Sequence, residues 1–179
     1  SEKEYFKETQ LKYEAIDFIF TQEKVYPSRF SDGSYSTWYG SLSEMTTFYE
    51  TVFHWRRRWI LQPEGFQNFS EPITSQRALY RAFCSALLID FHDRTTEVGS
   101  LIDPSLNSYQ ETQVIGKRVY VEGHPGIFTR SARDPKGENI VVFKPDVLSQ
   151  PTLDSVYNYI YCPDNNSVKI INQHGAVVI

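Results

Sequence analysis

The chain has 179 residues, a length at which one hydrophobic core is the rule, so a single domain over residues 1–179 is expected. Apolar residues make up 40% and charged residues 22%, which excludes an intrinsically disordered chain. A formal charge of −4 argues against direct nucleic-acid binding, which needs a basic excess to neutralise phosphates, and the run Arg56, Arg57, Arg58 is too short to reverse that.

Aromatic residues are abundant, with 12 Tyr, 12 Phe and 3 Trp, and supply both core area and flat surfaces for a planar ligand. Cys84 and Cys162 lie far apart without CxxC spacing, which argues against a disulfide scaffold and for a reducing, cytoplasmic setting. Apolar runs such as "SALLIDF" fall short of the roughly 20 residues that cross a bilayer, and no signal peptide is visible at the start. No membrane partner is expected.

Along the chain, "EYFKETQLKYEAIDFIF" reads as a short helix or an irregular lead-in. "KVYPSRF" reads as extended, since Pro27 biases its predecessor away from helix, and "SDGS" is turn chemistry. "YSTWYGS" reads as a second strand. Ser43 then caps the clearest helix, with Thr46 in place of the Glu that would complete a capping box. Met45, Phe48, Val52, Trp55 and Trp59 form its apolar stripe, Thr46, Thr47, Glu50, His54 and Arg57 cluster on the opposite side, and Pro63 and Gly65 end it near Leu61.

"PEGFQNFSEP" reads as a loop and "RALYRAFCSALLIDF" as one long or two short strands. A helix starts at Asn107 or Ser108 and stops before Gly123 and Pro125. "GIFTRSAR" reads as a strand running into a polar turn, and "NIVVFKP", "SVYNYIYC" and "SVKIIN" read as further strands, the middle one alternating Tyr with other residues. The sum is an α+β fold with a mixed or antiparallel sheet and flanking helices.

Arg29, Tyr39 and Glu50 surround the strand-to-helix segment "RFSDGSYSTWYGSLSEMTTFYE". Spacing alone favours a bland reading of them, as a surface arginine, a half-buried strand tyrosine and a solvated helix glutamate. Glu50 and His54 are four apart, worth a helix-face contact of about a few tenths of a kcal/mol. The four histidines lack metal-ligand spacing, "GSLSE" lacks a nucleophile elbow, and neither "DPKGEN" nor "SDGS" is a phosphate-binding glycine loop.

The order of segments adds what spacing does not. "RFSDGSYSTWYGSLSEMTTFYETVFH", "LIDPSLNSYQETQVIGKRV", "GIFTRSAR" and "ENIVVFKPDVL" resemble, in sequence order, the signature segments of the RES-domain family, named for its Arg, Glu and Ser. The match runs from about Arg29 to Ile171 and leaves residues 1–28 as an unassigned lead-in. By this resemblance the family's arginine falls on Arg29, its tyrosine on Tyr39, its glutamate on Glu50 and its serine on Ser131. The chain departs from many members in carrying Pro27 and Ser28 where glycines are common, and Thr46 and Thr47 where alanines are.

The resemblance implies a fold similar to ADP-ribosyltransferase toxins and a bacterial toxin-antitoxin role in which NAD is consumed as a substrate. It implies cleavage of the nicotinamide-ribose glycosidic bond by phosphorolysis or hydrolysis, with inorganic phosphate as a candidate co-substrate, no bound cofactor and no metal. Glu50 would be the leading catalytic residue, stabilising the ribosyl cation. Arg29, Tyr39 and Ser131 would share catalysis and binding, through phosphate oxygens, the nicotinamide end and the amide, ribose or incoming phosphate respectively. A cognate antitoxin protein is implied as partner. Two other readings stay open: a protein mono-ADP-ribosyltransferase, and a non-catalytic binding module of a complex.

Overall fold

A computed structural model describes residues 2–61, 70–95 and 97–179. Residues 63–69 of the expected loop "PEGFQNFSEP" lie outside the described residues. The architecture is α+β, with one mixed and one antiparallel sheet and flanking helices. The chain forms two compact units, Ser1–Tyr49 with Ala82–Pro151, and Glu50–Arg81 with Thr152–Ile179.

In the first unit, helix α1 (Glu2–Lys12) runs through a wider π turn, Tyr13–Asp17, into α2 (Phe18–Phe20), so the lead-in is helical. Ile16 on that turn is buried with Val142 and Leu148, and Ala15, Phe20 and Trp38 pack around them. The Trp38 indole N–H donates to the Ala15 carbonyl at 2.8 Å, tying the lead-in to the sheet.

Residues 24–30 form no strand, contrary to the extended reading of "KVYPSRF". Ser28 instead bridges Ser31 across a tight turn, its N–H donating to the Ser31 carbonyl at 2.8 Å. The proline does keep helix out, but side-chain bonds to this backbone, described below, replace sheet pairing. Strand β1 (Trp38–Ser41) is thus the first strand rather than the second.

Helix α3 (Glu44–Trp55) begins where expected, with Ser43 Oγ accepting from Thr46 N–H at 3.1 Å. The stripe is only partly as expected. Phe48 and Trp55 are buried, but Met45 and Trp59 are exposed and Thr46 is fully buried. Thr46 moves inward because its hydroxyl has partners there, donating to Asp134 Oδ2 at 2.7 Å and meeting Ser43 Oγ. Trp59 leaves the stripe because Arg56–Ile60 is a π turn, whose extra residue shifts the register.

Strands β2 (Ile73–Cys84) and β3 (Ile89–Asp90) follow, the two-strand alternative for "RALYRAFCSALLIDF". Helix α4 (Tyr109–Val121) is preceded by a 3-10 turn that Ser105 caps. Strands β4 (Gly126–Arg130) and β5 (Glu138–Val142) complete the first sheet, ordered β1-β5-β4-β3. Only β3 with β4 is parallel among its pairs. Its core joins Phe30, Tyr35, Leu101, Val119, Ile127, Val141 and Phe143.

The second sheet orders β2, β6 (Leu148–Cys162) and β7 (Ser167–Asn172). Tyr157, Tyr159 and Tyr161 alternate along β6 and all three are buried, as period-two patterning predicts. The hairpin to β7 turns at Asn166, which takes the left-handed conformation at φ 52°. Cys84 and Cys162 are free thiols. No helix among the described residues is long and apolar enough to cross a membrane.

Candidate functional site

The arginine-bearing turn is built by side chains, not by sheet. From α4, Thr112 Oγ1 donates to the Arg29 carbonyl at 2.6 Å and Gln113 Nε2 to the Ser28 carbonyl at 2.9 Å. Tyr35 O–H donates to the Phe30 carbonyl at 2.5 Å, and Ser31 Oγ to the Tyr35 carbonyl at 2.6 Å. Gly116 lets α4 come this close, since a Cβ there would overlap the Phe30 backbone. The Tyr35 ring stacks on Tyr120 at 4.1 Å, and burial pushes its phenol pKa well up.

On this turn the Arg29 guanidinium reaches across to residues 100–108. Its Nη1 donates to the Ser100 carbonyl at 2.9 Å and to Ser108 Oγ at 3.3 Å, and its Nη2 donates to the Asp103 carbonyl at 2.8 Å. The Tyr109 ring lies 4.9 Å from the guanidinium carbon, a cation–π distance. Arg29 is therefore ordered by acceptors on main chain and side chain, which fixes where its charge sits.

Tyr39 meets the same turn. Its hydroxyl accepts from Phe30 N–H at 3.1 Å and pairs with Ser28 Oγ at 2.9 Å, so it is bonded to the residues on either side of Arg29. The residue is 41% exposed overall, yet its hydroxyl end is enclosed. Loss of water around that end pushes the phenol up to about 12, against the opposing bonds from Ser28 and Phe30. Tyr39 offers a ring face to the outside and a neutral hydroxyl inward.

Ser131 closes β4 with a serine turn. Its Oγ accepts from Arg133 N–H and Asp134 N–H, both at 3.0 Å, and its own N–H donates to the Gly137 carbonyl at 2.8 Å. The turn aims Arg133 back at the Arg29 region, where Arg133 Nη1 donates to the Pro104 carbonyl at 2.7 Å. Asp134, on the same turn, receives the Thr46 hydroxyl at the start of α3. Tyr39 thus holds the residues flanking Arg29, and the Ser131 turn carries Arg133 to Pro104, next to the Asp103 carbonyl that Arg29 holds.

Glu50 belongs to the second unit. It lies on α3 with 22% of its side chain exposed, 4.0 Å from His54 Nε2, at the edge of ion-pair range. It is less solvated than a helix-surface glutamate. The next residue, Thr51, pairs with the buried Tyr159 hydroxyl at 2.8 Å, which fixes this stretch of helix against β6.

Sequence reasoning missed Thr112, Gln113, Tyr109 and Arg133. The first three lie some 80 positions from the turn they hold, and no local pattern announces such pairing. Arg133 stood inside the quoted "RSAR", and its proximity to Ser131 was the available signal.

The α+β fold thus holds Arg29 and Tyr39 on one turn and brings Arg133, through the Ser131 turn, to the segment that Arg29 also contacts. The particular assignment comes from comparison. The chain belongs to the RES-domain family, whose model, described as RES domain, matches residues 6–161. No curated protein matches the chain.

Proposed function

We propose that the chain is an NAD-consuming toxin that breaks the nicotinamide-ribose bond and passes the ADP-ribosyl group to phosphate or water. The observation that carries this reading is the family match over residues 6–161, which spans Arg29, Tyr39, Glu50 and Ser131 together. The ordering of Arg29, Tyr39 and Ser131 supports it, because each is held by at least two polar contacts.

In the proposed reaction the C1″–N bond of the nicotinamide ribose breaks and its electron pair goes to the ring nitrogen, discharging the pyridinium. The ribose is left with oxocarbenium character. Glu50 is the carboxylate whose charge stabilises that state more than the ground state, which is what lowers a barrier. Arg29 is the charge proposed to face the phosphate oxygens of the dinucleotide. Tyr39 presents its ring to the nicotinamide, and Ser131 orients the amide, the ribose or an incoming phosphate. A phosphate oxygen then attacks C1″ to give ADP-ribose 1″-phosphate, or water attacks to give ADP-ribose.

Attack by a protein side chain shares the first step and would make the chain a mono-ADP-ribosyltransferase. An antitoxin that covers Arg29 and Tyr39 with a carboxylate-bearing segment is the proposed partner. The test is incubation of purified chain with NAD, with and without inorganic phosphate, following free nicotinamide and the ADP-ribose product. Nicotinamide release that Glu50→Gln abolishes is expected. A folded chain that releases none, with or without phosphate or candidate acceptor proteins, would sink NAD cleavage and leave a binding module.

A further inference from the structure

The second unit holds a guanidinium that the reading above does not use. Arg77 sits mid-way along β2, its guanidinium carbon 5.3 Å from the centre of the Tyr159 ring on β6 and 5.8 Å from that of Trp55 on α3. The two rings meet edge to face at 6.1 Å and both are buried, so they form a rigid, dry corner. The Thr51 hydroxyl holds the Tyr159 hydroxyl in place.

Ring faces attract a cation but accept few of its N–H bonds, and a guanidinium carries five. Arg77 Nε is buried with no hydrogen-bond acceptor, and no ion pair reaches the side chain among the described residues. Burial accordingly pulls its pKa down. Arg81, four residues along the same strand and 70% exposed, is paired with Asp154 at 2.9 Å. A carboxylate thus serves the arginine that water already solvates, while the enclosed one is left without.

A guanidinium drawn out of water is unfavourable unless something supplies the counter-charge. Arg56, directly after Trp55, repeats the pattern: its Nη2 donates to Asn166 Oδ1 at 2.7 Å, and its Nε is buried without an acceptor. The Arg77 side chain as a whole is only half-buried, and it is Nε that is enclosed.

We infer that Arg77, framed by Trp55 and Tyr159, anchors an oxyanion site in the second unit, and that its ligand is a phosphate group, free or carried by a nucleotide. A guanidinium fork takes a phosphate through two parallel bonds, which a lysine does not reproduce. The choice of phosphate among oxyanions rests on the proposed reaction, in which phosphate takes part; the anion site rests on Arg77 alone.

The test is calorimetric titration of the chain with inorganic phosphate and, separately, with ADP, at fixed ionic strength in chloride and without NAD. Binding in the absence of NAD keeps this outcome separate from that of the cleavage assay. Saturable binding of either ligand is expected, weakened about tenfold or more in Arg77→Lys and absent in Arg77→Met. Phosphate alone would mark a free-phosphate site, and ADP alone a nucleotide-phosphate site. In melting experiments the bound ligand should raise the Tm of the unsubstituted chain and not that of Arg77→Met, which in chloride melts no lower because it removes an uncompensated charge. Should Arg77→Met fail to fold, the Arg77→Lys comparison decides by itself. No saturable binding of either ligand, or equal affinity in the lysine variant, overturns the inference.

Discussion

Arg29 and Arg133 hold the carbonyl oxygens of consecutive residues, Arg29 at Asp103 with 2.8 Å and Arg133 at Pro104 with 2.7 Å. Two guanidinium groups from distant parts of the sequence thereby clamp a single peptide segment. Removing either leaves main-chain acceptors without their charged donors. Arg29→Ala is expected to cost about 2 kcal/mol or more, as loss of charged hydrogen bonds does. Chemical denaturation measures this, and a midpoint equal to that of the unsubstituted chain would show that the clamp contributes nothing.

Ser131→Ala removes the acceptor of two backbone N–H groups and with it the turn that aims Arg133. A loss of about 1–2 kcal/mol in stability is expected. Under the proposed reaction NAD cleavage should fall as well, while Ser131→Thr, which keeps the hydroxyl, recovers part of both. Equal activity in the alanine and threonine variants would argue against a role for the hydroxyl.

Glu50→Gln keeps shape and removes charge. Cleavage of NAD is expected to drop about a hundredfold or more, since electrostatic stabilisation of a developing cation is the main work assigned to this residue. The melting temperature should move little. A variant that cleaves NAD at the original rate would remove Glu50 from the chemistry.

Tyr39 gives a pH dependence. Its phenol, pushed up to about 12 in the folded chain, is near 10 when unfolded, so the folded state binds the proton more tightly. The stability this supplies is complete below pH 10 and is lost as pH rises towards 12. Tyr35, raised in the same direction by burial, adds to the same loss. Denaturation midpoints measured across that range should fall less steeply in Tyr39→Phe, and an unchanged slope would count against the enclosed hydroxyl.

Gly116→Ala tests how the Arg29 turn is backed. The added methyl meets the Phe30 backbone, which cannot yield as a flexible side chain would, so a loss of about 1–3 kcal/mol is expected. A variant as stable as the original would mean that α4 and the turn separate freely.

Much of this was legible in the residues and some was not. The helix after Ser43, the tyrosine alternation on β6 and the strand ending at Arg130 follow from local periodicity, which packing then reinforces. The turn at Ser28 and Ser31 did not, because what shapes it comes from Thr112 and Gln113 on α4. Thr46 was misplaced for a related reason: hydropathy put it outside, whereas its bond to Asp134 carries it inside. Resemblance singled out Arg29, Tyr39, Glu50 and Ser131 as candidates, but partners such as Thr112 and Gln113 are long-range and leave no periodic trace.

The bond from Trp38 to Ala15, with Ile16 inserted beside Val142 and Leu148, bears on how fragments of this protein should be cut. A piece that starts at Arg29 would keep Arg29, Tyr39, Glu50 and Ser131 and still lack one wall of its interior, along with residues 6–28 of the family match. Such a piece would present Val142 and Leu148 to water and leave an indole N–H without its acceptor. Its expected fate is aggregation rather than a smaller active protein, so the boundary of the folding unit is drawn by packing, upstream of the motif.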